Sequence, residues 1–157
     1  MEGLEHVGPW SELRRREHIR LGFGELPAAT GGAVHIAWPD GRVVILLDSR
    51  LTQAERRCAL AHEIAHDDRG GGCPCHDEAP ASWAAVVARD EAHTDRQALD
   101  LLIDWPRLHR AMELADDMGE IVTASEIAED QNVTEEVAAR AMRLLLRAWA
   151  EGYGRAG

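Results

Sequence analysis

The chain is short of aromatic residues, with five Trp, one Tyr and one Phe among 157. Its core must therefore be built mainly from Leu, Ala, Val and Ile. Long apolar runs are also missing. Nothing approaches the ~20 residues that a membrane helix needs, so no span is expected. The opening residues include Glu2, Glu5 and His6 but no apolar stretch, so no secretory signal is expected. Basic residues are in deficit: 17 Lys and Arg stand against 28 Asp and Glu, a net charge of -11. A general nucleic-acid binder needs the opposite balance, because Lys and Arg make its phosphate contacts. A basic protein substrate is compatible with the acidic balance.

Three cysteines cannot make a full disulfide framework. Cys73-Pro74-Cys75-His76 forms a C-x-C-H cluster in a glycine-rich loop, and Cys58 lies on a helix further upstream. As a structural zinc site the cluster lacks a second pair of ligands. It reads as a loop with reduced thiols in a cytoplasmic protein, with a redox or metal role as the alternative. The length suits a single domain over residues 1–157. Within it we expect an N-terminal helix and loop at 1–29, a core at 30–105, and C-terminal helices at 106–152.

Against these absences stands His62-Glu63-Ile64-Ala65-His66, an H-E-x-x-H string. On a helix, residues i and i+4 share a face, so His62 and His66 can close on one ion. Glu63 then lies where its carboxylate can reach a metal-bound water. The flanks Cys58-Ala59-Leu60-Ala61 and Ile64-Ala65 are small or apolar, as a buried helix requires. Thr52, with Glu55 three residues later, makes a capping-box signal, so the helix should begin near Gln53.

A catalytic zinc usually takes three protein ligands and keeps one open position. After His66 the chain passes through a Gly/Pro/Cys-rich loop to a second helical stretch, from about Ser82 to Ile103. Glu91, His93 and Asp95 stand in it. Glu91 and Asp95 are i and i+4 and share a face. His93 lies about 200° around the helix from Glu91, so the two do not bind one ion together. Glu91 as third ligand, with Asp95 accepting a histidine N–H behind it, is the most economical arrangement. An oxyanion donor cannot be picked by spacing from His35, His93 and Tyr153.

Arg57-Cys58-Ala59-Leu60-Ala61-His62-Glu63-Ile64-Ala65-His66 resembles the first half of the ImmA/IrrE metallopeptidase-like signature. Its second half, E-x-x-A-[DN]-x-x-A-x-x-L-L/I, is similar to the stretch from Glu91 to Ile103. Glu91, Asp95, Ala98, Leu101 and Leu102 match, whereas Thr94 and Gln97 replace the usual alanine and aromatic. Upstream, Ala33–Trp38 and Arg42–Leu47 read as two strands around a Pro39-Asp40-Gly41 turn. In the family such a hairpin precedes the zinc helix. In its compactness the chain resembles the actinobacterial and phage type of the family.

Residues 10–22 read as a charged helix with a thin stripe of Leu13, Ile19 and Leu21. Arg107 to Met118 reads as another helix, ending at Gly119. From Thr123 the chain has the cadence of a helix-turn-helix: a short capped helix, an Asn132-Val133 turn, and a longer helix from Glu135 to about Glu151. A DNA-reading helix would present cationic or amide side chains near its start. Glu135 and Glu136 stand there instead, so a packing or substrate-docking unit is expected.

These readings combine into an α+β fold, mostly helical and zincin-like, with a small N-terminal β-sheet and a helix-turn-helix-like C-terminal segment. The resemblance implies a zinc metallopeptidase with His62, His66 and Glu91 as ligands, Glu63 as general base and Asp95 behind them. It further implies site-specific cleavage of a partner protein such as a transcriptional repressor. A catalytically silent zinc-fold binding module is the alternative. A DNA-binding regulator using the C-terminal helices is a third reading.

Overall fold

The strand β3 (Val43–Asp48) organises the first half of the molecule. Its side chains alternate, and Val43, Ile45 and Leu47 on one face are buried. The computed structural model describes residues 6–70 and 81–153, without the side chains of residues 81–90 and Tyr153. Two strands flank β3 in the order β1-β3-β2. The strand β2 (Ala33–Ala37) runs antiparallel to it, with His35 opposite Ile45. The strand β1 (Ile19–Gly24) runs parallel, with Leu21 opposite Ile45. The expected hairpin is present. Its turn is closed by the Trp38 N–H to the Arg42 carbonyl at 2.9 Å.

The N-terminal stretch departs from the single helix expected over 10–22. The helix α1 covers only Pro9–Arg14, and the chain then enters β1. Ile19, Leu21 and Phe23 alternate with a period of two, which suits a strand. The open edge of β3 supplies partners 24 positions away, and such pairing outweighs a weak local helical stripe. Ile19 thereby joins the core with Ala33, Val43, Ile45, Leu47, Leu60 and Ile64.

The helix α2 (Gln53–Asp68) lies against β2 and β3 and contributes Leu60 and Ile64 to that core. Its start is the capping box read from the sequence. Thr52 Oγ1 accepts from the Glu55 N–H at 3.3 Å, and Glu55 Oε2 accepts from the Thr52 N–H at 2.7 Å. The helix α3 (Ala81–Leu102) packs beside α2. The Arg57 guanidinium donates to the Leu102 carbonyl at 3.1 Å and so ties the end of α3 to α2.

The chain divides into two compact units, Met1–Leu102 and Ile103–Gly157. Among its described residues the second contains helices and no strand. The helix α4 (Trp105–Met118) is capped by Asp104, which accepts from the Arg107 N–H, and ends at Gly119 in the left-handed region, φ 67°. The helix α5 (Ala124–Gln131) carries a second capping box, Thr123 with Glu126, and ends at Asn132, φ 52°. The helix α6 (Glu135–Tyr153) follows. This is the expected helix-turn-helix cadence. Ile127, Val133, Ala138 and Ala141 are buried. The molecule is thus α+β and mostly helical. No helix among the described residues is long and apolar enough to cross a membrane.

Candidate metal centre

One side of α2 is apolar and buried, through Leu60, Ala61, Ile64 and Ala65. His62 and His66 emerge at its border, where their side chains stay 33% and 17% exposed. The i, i+4 spacing brings the ring centroids to 4.5 Å and the two Nε2 atoms to 2.9 Å. Two imidazole lone pairs this close repel unless a proton or a cation lies between them.

The helix α3 supplies the carboxylates. Glu91 Oε2 is 3.7 Å from His62 Nε2, and Glu91 Oε1 is 3.7 Å from His66 Nε2. One donor atom from each of His62, His66 and Glu91 lies within 4.8 Å of the others. Asp95, one turn further along α3, places Oδ1 3.3 Å from His62 Nδ1. A proton on Nδ1 serves that contact and leaves the Nε2 lone pair aimed at the cluster. Between these two acids Thr94 is buried. A small side chain fits there. His93 is exposed on α3 and does not join the cluster.

Glu63 differs from the solvated acids around it. It is only 8% exposed, and burial raises its pKa above the ordinary glutamate value. The charges of His62 and His35 pull the other way, and Glu91 adds to the rise. His66 moves down, first because burial disfavours its charged form and then because His62 is close. A neutral imidazole is the form that binds a metal.

Behind α2 the structure joins His35, one of the three residues weighed as an oxyanion donor, to residues that sequence reasoning missed. Asp67 follows His66 directly. Its Oδ2 accepts from His18 Nε2 at 2.8 Å, and its Oδ1 lies 3.3 Å from His35 Nε2. The His35 side chain is 5% exposed, and its Nδ1 is buried with no hydrogen-bond partner among the described residues. Arg16 clamps the neighbouring Asp68 through Nη2 at 2.7 and 2.9 Å. These contacts lock the end of α2 to β2 and to the turn before β1. They span 32 to 52 positions, so no local pattern announces them. Cys73, Cys75, His76 and the Tyr153 side chain lie outside the described residues.

The donor set is two imidazole nitrogens and one carboxylate, the borderline-soft combination that zinc accepts. Two donors at ~2.0–2.1 Å from one ion lie at most ~4 Å apart. The 2.9 Å and 3.7 Å separations meet that limit. The three residues therefore fit a metal ion with an open coordination side.

Comparison with family profiles gives a match to the IrrE N-terminal-like domain, Peptidase M78, over residues 16–143. Comparison with curated proteins gives no match.

Proposed function

The chain belongs to the IrrE N-terminal-like family of metallopeptidases, and on that premise we propose that it is a zinc endopeptidase of the cytoplasm. It would cut a partner protein, such as a transcriptional repressor, at a specific bond. His62, His66 and Glu91 would hold the zinc, and Asp95 would orient His62 from behind. A zinc held there would supply two things, a water pKa lowered to about 7 and a polarised carbonyl. Glu63 takes a proton from the attacking water and hands it to the leaving amine.

The observation that carries this reading is the buried Glu63 beside the His62/His66/Glu91 cluster. Burying a carboxylate is unfavourable, and a silent metal-holding scaffold has no use for it. Turnover is therefore favoured over a binding module. The exposed Glu135 and Glu136 at the start of α6 oppose phosphate contact and weigh against a DNA-reading role.

The test compares new protein N-termini in cells expressing the parent chain or Glu63→Gln. The variant should keep its zinc and lose cleavage by about 10²–10⁴-fold. One or a few termini unique to the parent support the reading. Identical termini in both cells, with full zinc content, overturn it.

A further inference from the structure

The second unit carries an apolar groove that the metal centre does not use. Ala111, Leu114, Ala115 and Met118 form an i, i+3, i+4, i+7 stripe on α4. This stripe is distinct from the one through Leu108 and Met112, which is buried. Leu114 is 61% exposed and Met118 60%, and Ile121 in the α4–α5 loop is 90% exposed. Together with Val122 they line a cavity of about 230 Å³. Contiguous exposed aliphatic side chains of this kind mark interaction surfaces.

The loop that displays Ile121 is held at both ends. At one end, the Gly119 and Glu120 N–H groups return to the Asp116 and Ala115 carbonyls at 3.0 and 2.8 Å. At the other, the Thr123–Glu126 capping box fixes the start of α5. The exposure of Ile121 thus belongs to a closed loop geometry, and the groove is formed before any partner arrives.

Charge identifies the partner. Between Arg110 and Arg140 the chain holds nine Asp and Glu and no Lys or Arg. Glu120 and Glu126 line the groove itself, and Asp117 stands on α4 three positions from Leu114. An acidic rim around aliphatic anchors complements a basic amphipathic helix, whose apolar side chains enter the groove while its cations meet the rim. We propose that the α4–α5 groove docks a basic amphipathic helix of a partner protein. This goes beyond the peptidase reading and does not depend on it, since docking needs neither zinc nor Glu63.

The test uses the full chain and a fluorescein-labelled Leu/Arg peptide of about 15 residues, patterned as an amphipathic helix. Fluorescence anisotropy reads its binding. A peptide of the same composition with the pattern scrambled serves as the charge control. The patterned peptide should bind at least about tenfold tighter than the scrambled one. Ile121→Ser should weaken it about tenfold, and so should the paired reversal Asp117→Arg with Glu120→Arg. All three positions are exposed, and urea midpoints equal to the parent's confirm the fold. Adding EDTA or using Glu63→Gln should leave the affinity unchanged, which separates this test from that of the peptidase. Equal binding of both peptides, or insensitivity to both variants, overturns the proposal. So does self-association of the parent that Ile121→Ser abolishes, because the groove would then serve a second copy of the chain.

Discussion

Glu91 and His93 stand two positions apart on α3, and only Glu91 reaches the α2 histidines. Zinc titration should therefore separate them. Glu91→Ala and His62→Ala should lose tight binding, because two protein ligands remain where a zinc site needs three. His93→Ala should bind as the parent does. Asp95→Ala should weaken zinc by about 10–100-fold, the usual effect of removing the group that orients a ligand histidine. Tight binding by Glu91→Ala would remove it from the ligand set. At this scale much was legible. His62, Glu63 and His66 fall within one helical turn, so their shared geometry follows from spacing alone. Glu91 and Asp95 could be paired with each other by the same rule, and the family resemblance assigned them to the same proposed zinc site as the α2 histidines. Asp67 was not legible, because its contacts with His18 and His35 depend on how α2 settles on the sheet.

Element boundaries follow local chemistry where a cap is present. Thr52→Ala removes the α2 cap and should lower the stability of its unit by about 1 kcal/mol. Gly119→Ala forces a side chain into the left-handed region at φ 67° and should cost about 1 kcal/mol in the other. Urea unfolding of both variants checks these values. The end of β3 carries a pH-dependent contact. The Asp48 carboxylate accepts from Arg50 Nε at 2.9 Å and Nη2 at 2.6 Å, and from the Arg50 and Leu26 N–H groups. The Arg50 side chain, above all, holds the Asp48 pKa well below the usual carboxylate range. A depressed folded-state pKa gives stability that is complete above the unfolded value, near 3.9, and is lost as pH falls toward the folded one. Asp48→Asn should therefore lower Tm more at pH 6 than at about pH 2.5. An equal decrement at both would show that Asp48 acts by shape and not by charge. β1 marks the limit of local reading, because Ile19 and Leu21 fit a helical stripe and a strand alternation alike, and β3 decides between them.

On the scale of the whole molecule, all three proposed zinc ligands belong to the unit Met1–Leu102. A ligand that binds only the folded form stabilises it, by about 2.7 kcal/mol at 100-fold excess over Kd. Chelation by EDTA should thus raise amide hydrogen exchange in α2 and α3. α5 and α6, in the unit Ile103–Gly157, should exchange as before. Unchanged protection of α2 and α3 would mean that the cluster does not hold the ion in solution. The sequence by itself determined the H-E-x-x-H helix and its cap, the β2–β3 hairpin, the ends of α4 and α5, and the α+β class. Each of these rests on residues within a few positions of one another, where backbone periodicity and capping leave few options. Only the tertiary structure brought Glu91, which the resemblance had assigned to the same site, within 3.7 Å of His62 and His66, buried Glu63 beside them and made β1 a strand. Those outcomes join residues 24 to 29 positions apart, and their distances are set by the packing of α2 against α3 and of β1 against β3.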